Sequence, residues 1–352
     1  MSQFHKLTIK DIKKETDNAV SISLNVPESL KDTFRFKAGQ YLTFKVTLNG
    51  EEIRRDYSIC TSPNSGNLKV AVKAVDGGLF SIYANTKLNI GDTIDVAPPN
   101  GRFIFEPQNN ISRTIAAFAA GSGITPILGI AKTVLEEETQ SSFILTYGNK
   151  TPKDVIFSDE LVQLQQSYPG RFNLQLIYSQ ADEKDSLFGR IDKSAVNFVL
   201  KNKFSHLKPT QFYLCGPEEM IHAVKDTLIE NGTSEDQIFY ELFTVPVNQS
   251  VEIDSSIIDG NTKVTVMVDD EETTFIMPQT KSILEAALAE NIDAPYSCQG
   301  GICSSCLARL KEGEAKMRQN NILTDSELAE GLILTCQAHP TTSVVYVDYD
   351  DI

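Results

Sequence analysis

Tryptophan is absent from this 352-residue chain and histidine occurs only four times, so a histidine-rich metal site is not expected. Positive charge is also scarce: 32 Lys and Arg face 47 Asp and Glu, for a net −15. That balance argues against electrostatic binding to nucleic acid or an anionic membrane, and leaves a basic protein partner or a small molecule. No long apolar stretch opens the chain, where Lys6 and Lys10 intervene, so no secretory signal is expected. Residues 114–131 carry no charge, but the glycines and proline of Gly121-Ser122-Gly123-Ile124-Thr125-Pro126 at their centre make a poor membrane helix and a good strand-to-helix turn. A soluble, cytoplasmic protein with no membrane partner is expected. Of six cysteines, four fall in the last 55 residues, and without a secretory signal such clustering favours a metal site over disulfides.

What remains is an ordinary globular composition, 41% hydrophobic and 22% charged, in a chain too long for one core. Residues 1–106 read as short alternating strands (19–24, 41–46, 68–72) separated by Asn49-Gly50, Gly77-Gly78 and Gly91-Asp92, the pattern of a β-barrel. Residues 107–245 change to apolar strands followed by helices: strands at 114–120, 142–147, 172–178 and 211–214, with helices near 126–138 and 159–166. That alternation implies a parallel sheet with ligands beyond the strand C-termini. Residues 246–262, rich in Ser, Asn and Pro, read as a linker. Residues 263–352 then show a strand pair, a helix over 282–291 and a cysteine loop, an α+β module.

The loop reads Cys298-x4-Cys303-x2-Cys306, with Cys336 following after 29 residues, the plant-type spacing for a [2Fe–2S] cluster on four thiolates. Gly300, Gly301, Ser304 and Ser305 are small enough for backbone N–H groups to face the sulfurs. Structural zinc would ask for two well-separated Cys pairs, and only Cys303/Cys306 forms one. Such a cluster moves one electron at a time, so the upstream domains should supply its electrons.

Gly121-x-Gly123-x-x-Pro126 lies between an expected strand and helix, where two glycines let backbone approach a pyrophosphate and Pro126 suits a first helical turn. Cys215-Gly216-Pro217 ends the fourth strand of the same region and places a thiol at the ligand-facing edge. In the first region, Arg55-Asp56-Tyr57-Ser58 supplies a cation, an aromatic plate and a hydroxyl on one strand, with Arg55 and Tyr57 on one face. A flavin needs that set: charge for phosphate, a ring against the isoalloxazine, and a donor near N5. Gly77-Gly78-Leu79-Phe80-Ser81 then reads as a backbone N–H nest opening a helix.

Taken in order, these motifs resemble the ferredoxin–NADP reductase superfamily with a C-terminal plant-type ferredoxin domain, over nearly the whole chain. Arg55-Asp56-Tyr57-Ser58-Ile59-Cys60, Gly121 to Pro126, Tyr147-Gly148-Asn149-Lys150 and Cys215-Gly216-Pro217 are similar to that family's signatures, nearest its phenylacetyl-CoA epoxidase and monooxygenase reductases. The resemblance implies an antiparallel flavin-binding β-barrel, a parallel-sheet nucleotide domain and a β-grasp ferredoxin domain. It implies FAD, with FMN as the alternative, on Arg55, Tyr57, Ser58, Val72, Gly77, Gly78, Leu79 and Ser81. It implies nicotinamide-nucleotide binding by Gly121, Gly123, Thr125, Pro126, Asn149, Lys150, Ser179, Arg190, Cys215, Gly216 and Pro217. Catalytic roles would fall to Ser58, Cys215, Glu241 and Phe243, the last two because Glu241-Leu242-Phe243 resembles the Glu-x-aromatic end of plant-type reductases. There it ends the chain, whereas 109 residues follow here.

The implied activity is NAD(P)H-dependent reduction of FAD, then of a [2Fe–2S] cluster, then of an oxygenase partner of the di-iron or Rieske type. Phenylacetyl-CoA epoxidase is the first such partner to consider. A general reductase serving a desaturase or another hydroxylase, and a carrier protein that has lost its flavin, are the alternatives; the intact Arg55-x-Tyr57-Ser58 set argues against the carrier. NADPH is favoured over NADH because no acid follows the second strand at Tyr147 to Lys150, although Asp182 and Glu183 lie near Ser179-Gln180. Residues 263–352 hold 15 acidic and 6 basic side chains, nine of the fifteen net negative charges. An acidic surface there would dock on a basic acceptor.

Overall fold

Six antiparallel strands and one helix form the first layer of the structure, a computed structural model that describes residues 4–243 and 260–352. The strands are β1 (His5–Thr16), β2 (Ala19–Asn25), β3 (Tyr41–Leu48), β4 (Glu51–Ser58), β5 (Leu68–Lys73) and β6 (Thr93–Val96), with α1 (Leu79–Thr86) between the last two. Their order is β4-β3-β6-β1-β2-β5, and an Ile59–Val70 bridge brings the two ends together as a barrel. Asn49 and Gly50 both have positive φ, as the tight β3–β4 hairpin requires. Leu7, Ile22, Leu42, Phe44, Val70 and Phe80 fill the interior.

The second sheet is parallel, in the order β10-β9-β8-β7-β11-β12. Its strands are β7 (Thr114–Ala120), β8 (Ser142–Asn149), β9 (Phe172–Tyr178), β10 (Leu187–Phe188), β11 (Pro209–Gly216) and β12 (Ile238–Leu242). Helices α2 (Ile124–Glu137), α3 (Ser158–Ser167), α4 (Lys193–Asn197) and α5 (Glu218–Glu230) connect them. Burial on both faces explains why β7 is a continuous apolar run. Pro126 sits in the first turn of α2, where a missing N–H loses nothing. No helix among the described residues is long and apolar enough to cross a membrane.

The chain divides into two compact units, Phe4–Phe243 and the part beyond it. Most of the expected linker, residues 246–259, lies outside the described residues, and its last two positions begin a strand. The second unit has the sheet order β14-β13-β19-β15-β17 plus a β16–β18 pair. Its strands are β13 (Asn261–Val268), β14 (Glu271–Pro278), β15 (Leu307–Glu312), β16 (Ala315–Met317), β17 (Leu332–Leu334), β18 (Ala338–Pro340) and β19 (Val344–Asp348). Helices α6 (Ile283–Ala289) and α7 (Asp325–Ala329) complete it, each opened by a reciprocal capping box, Ser282 with Glu285 and Thr324 with Glu327. Val264, Val266, Leu284, Leu334 and Val345 form its separate core.

Candidate functional site

Strand β4 carries the expected flavin set. In register, Tyr57 opposes Leu42 and Arg55 opposes Phe44, so both lie on the face that is core elsewhere in the barrel. Yet Arg55 is exposed and Tyr57 only partly covered, so both reach the surface where the barrel core runs out. The Tyr57 ring lies 5.9 Å from Phe44 and 5.3 Å from Phe80, braced from behind. Arg55 donates to the backbone oxygen of Arg54 at 2.7 Å and makes no ion pair among the described residues, a cation available for a phosphate. Val72 is buried near the end of β5. Gly77 turns the chain with positive φ into Gly78, the N-cap of α1, whose first residue is Leu79. The Ser81 hydroxyl accepts from Val75 N–H at 3.3 Å, and a Cβ on Gly78 would overlap it. The nest is thereby held open at a helix N-terminus, fit for a pyrophosphate.

The nucleotide loop stands beside this strand. β7 runs into Gly121–Gly123, and α2 starts at once. A Cβ on Gly123 would overlap the carbonyl oxygen of Cys215, so loop and strand β11 approach as only glycine allows. Tyr147 holds the loop by donating to the Gly121 oxygen at 2.9 Å, and Thr125 donates to Ser122 at 3.1 Å. Buried Pro126 follows. Cys215 pairs with Ala119 on one side and Glu241 on the other, aligning loop, thiol and carboxyl along three strand ends. Gly216 and Pro217 then lead into α5, with Pro217 as its N-cap.

Across this junction the Ser58 hydroxyl donates to Glu241 Oε2 at 3.3 Å, joining the flavin strand to β12 over 183 positions. Burial pushes the Glu241 carboxyl up to about 8, with the Ser58 hydrogen bond opposing and Asp56 reinforcing. Burial, then Glu241, keeps the Cys215 thiol well above its usual range, so it is a neutral thiol at the site. Phe243 follows β12 and is 37% exposed at the end of the unit. One residue escapes a reading of motifs: Lys73 ends β5, and its Nζ lies 3.7 Å from where a Cβ on Gly121 would be. Its signal was only a lysine closing an apolar strand.

The remaining coenzyme residues lie at the ends of β8 and β9. Ser179 N–H donates to Asn149 at 3.0 Å and Gln180 N–H to Lys150 at 2.9 Å, so the two strand ends share one loop pair. Lys150 and Arg190 are exposed and form no ion pair among the described residues. Asp182, Glu183 and Asp185 are exposed nearby in sequence. A groove of about 700 Å³ at the other end of β5, lined by Lys10, Phe34, Asn64 and Asn67, contains none of these residues.

In the second unit the four thiols fall into two pairs. Cys303 hydrogen-bonds Cys298, lowering that thiol to about 6 against the effect of burial, helped by the N–H groups of Gly300, Ile302 and Cys303. Cys306 and Cys336 are likewise in contact: their mutual hydrogen bond raises Cys306 and lowers Cys336. The Gly301 N–H also serves Cys336, and that glycine's φ of 71° lets the loop turn there. Gln337 locks the loop by donating to the Gln299 oxygen at 3.0 Å. Paired thiols with N–H donors around them are the donor set that a [2Fe–2S] cluster would need, and none of the six cysteines is in a disulfide.

Comparison with known proteins agrees with this division of labour. Residues 6–105 match the oxidoreductase FAD-binding domain, 118–226 the oxidoreductase NAD-binding domain, and 266–341 the 2Fe-2S iron-sulfur cluster binding domain. The chain is 40% identical to one of the subunits of 1,2-phenylacetyl-CoA epoxidase from Escherichia coli (strain K12), covering 99% of both. It is 31% identical to the ferredoxin reductase component of a 3-ketosteroid-9-alpha-monooxygenase from Mycobacterium tuberculosis, over 98% of this chain and 96% of that one. Phthalate dioxygenase reductase, a solved structure, aligns with a TM-score of 0.61 and 26% identity over 98% of each chain.

Proposed function

Since the chain belongs to the ferredoxin–NADP reductase superfamily with a C-terminal plant-type [2Fe–2S] domain, we propose residue roles within that activity and a particular acceptor. The protein is an oxidoreductase, the reductase component of an oxygenase system, carrying electrons from NAD(P)H through FAD and a [2Fe–2S] cluster to the oxygenase. When bound, the flavin takes up hydride and the cluster releases electrons singly.

Arg55 and the N–H nest of Gly77 to Ser81 hold the flavin's phosphates, with Val72 buried behind them. Tyr57 offers its ring to the isoalloxazine. Ser58 presents its hydroxyl at N5 and shares that hydroxyl with Glu241, which is neutral at pH 7 and keeps negative charge away from an incoming hydride. Gly121, Gly123, Thr125 and Pro126 receive the coenzyme's pyrophosphate, while Cys215 sets the depth of its nicotinamide and Gly216 and Pro217 the turn behind it. Phe243 covers the open face of the flavin until the nicotinamide displaces it. Asn149, Lys150, Ser179 and Arg190 take the adenosine end; two unpaired cations among them favour NADPH. Cys298, Cys303, Cys306 and Cys336 hold the cluster.

The observation that carries the reading is the Ser58–Glu241 contact, which puts the flavin strand and the nucleotide sheet at one point. Its test is Ser58→Ala in the holoprotein under anaerobic mixing with NADPH. Flavin bleaching should slow about tenfold or more, the cluster spectrum should be unchanged, and normal bleaching would refute the role. The same mixing with NADH should be the less efficient reaction.

For the acceptor, the 40% identity to an epoxidase component favours phenylacetyl-CoA epoxidase, and of the two oxygenase types the di-iron one is the type proposed. The negative charge of residues 263–352 supports a basic docking face on it. Coupled turnover with that epoxidase should fall as salt rises; turnover indifferent to salt would remove the docking argument.

A further inference from the structure

The segment that leaves the flavin strand is gripped by the helix that leaves the nucleotide loop. Residues 59–62 follow Ser58 directly, and α2 follows Gly123 directly. Three positions on one face of α2, spaced i, i+3 and i+7, meet that segment. Gly129 comes so close that an added Cβ would sit 2.9 Å from the Ile59 oxygen and 3.2 Å from that of Thr61. Lys132 Nζ donates to the Cys60 oxygen at 3.5 Å. Glu136 accepts from the Ser62 hydroxyl.

A third element ties the two together. Glu160 on α3 places a single oxygen, Oε1, 2.9 Å from Lys69 on β5 and 3.2 Å from Lys132 on α2. Its second oxygen is buried without a hydrogen bond among the described residues. Lys69 in turn accepts from Cys60 through its backbone, from N–H at 2.9 Å and from Sγ at 3.2 Å. Its ammonium lies 5.4 Å from the ring of Phe157, the residue that caps α3 in a left-handed conformation. One carboxylate oxygen thus joins a barrel lysine to a nucleotide-domain lysine, with little water to weaken the attraction.

We infer that Lys69, Glu160 and Lys132 form a positioning clamp that fixes the gap between the flavin strand and the nucleotide loop, and hence the hydride-transfer distance. The inference rests on the reading of Arg55–Ser58 and Gly121–Gly123 as flavin and nucleotide elements. None of the three is among the residues assigned to a cofactor; they act through α2 and residues 59–62. A displacement of about 1 Å at reacting atoms can lower a rate a hundredfold, so a small slip at this clamp should be visible.

The test is Glu160→Gln in the full-length holoprotein, with Gly129→Ala as a second variant that pushes α2 from Ile59 without altering charge. Wild-type protein mixed anaerobically with NADPH first establishes flavin reduction; its absence would fail the functional reading and not the clamp. In both variants FAD content, cluster spectrum and coenzyme dissociation constant should stay near wild type. The rate constant for flavin bleaching should fall about tenfold or more, with a weaker nicotinamide–flavin charge-transfer band and a changed primary isotope effect from deuterated NADPH. Should Glu160→Gln lose FAD by unfolding, Gly129→Ala alone decides. Bleaching rate, charge-transfer band and isotope effect all at wild-type values, whatever the change in melting temperature, would overturn the clamp.

Discussion

Glu241 should impose a pH limit on flavin reduction, and its size follows from its surroundings. Burial holds the carboxyl at about 8, the Ser58 hydroxyl opposes by favouring the ionised form, and Asp56 adds to the rise. At about pH 7 the neutral form then outnumbers the ionised one by about ten to one, and at about pH 9 the ratio is inverted. If hydride reaches the flavin only when this neighbour is uncharged, the bleaching rate should fall about tenfold across that interval. Glu241→Gln, neutral at every pH and similar in shape, should flatten the profile. Ser58→Ala removes the group that favours ionisation, so its inflection should move upward. The same shift has a sign for stability. A folded carboxyl at about 8, against an ordinary value of 4.5, keeps a proton that the unfolded chain has released. Its contribution is therefore full below the ordinary value and is lost as pH rises through the folded one. The assay is anaerobic stopped-flow bleaching with NADPH over that range, alongside urea midpoints. A wild-type rate that is flat from about pH 7 to about pH 9 would refute the assignment.

Two further outcomes probe other levels of the molecule. Cys336→Ser should abolish the cluster's visible bands and transfer to the oxygenase, yet leave the rate of flavin bleaching near wild type, because Cys336 belongs to the second compact unit; slowed bleaching would show that the units are not separable in function. Arg113→Met should destabilise the first unit by about 3–5 kcal/mol in urea unfolding at neutral pH, because it strands Glu138, whose side chain is fully buried and whose ion pair with Arg113 measures 2.6 Å. Burial alone would raise Glu138, but the Arg113 hydrogen bond and the Gln108 N–H hold it below its ordinary 4.5, so that stability should be present above 4.5 and fade as pH falls. A loss under about 1 kcal/mol would show that Glu138 finds other partners.

The elements legible from sequence are those whose burial leaves no ambiguity. Strand β7 falls where its apolar run places it, because it is covered on both faces, and β9 falls at its expected 172–178 although Asn173 and Gln175 interrupt it. Strand β1 has no such signal: Lys10, Lys13 and Lys14 dominate its text, while Leu7 and Ile9 are buried in the core and Ile12 packs against it. The β13–β14 hairpin falls where the strand pair is expected, but its turn carries no usual mark. It turns on Asp269 and Asp270, both with positive φ, and contains no glycine. Asp350 compensates by accepting from both turn N–H groups at 3.0 and 2.9 Å, and lies 80 positions away in sequence.

The candidate site divides along the same line. Motifs made of neighbours, such as Arg55 to Ser58 or Cys298 to Cys306, can be read locally because the chain itself fixes their spacing. Groups whose character depends on the fold cannot. Glu241-Leu242-Phe243 singles out Glu241 by resemblance among 47 acidic residues, but nothing in that local text tells its protonation state. Its proton at physiological pH is held by burial, reinforced by Asp56, against a hydroxyl contributed by another domain that favours the ionised form. Glu160 is similar: two lysines distant in sequence, on separate elements, turn an ordinary helix carboxylate into a joint. Sequence motifs therefore identify which cofactors such a reductase holds, whereas the distance between them is set by residues with no motif. Variation in rate among chains that share every signature should accordingly lie at positions like Gly129 and Glu160, where α2 and α3 meet the barrel.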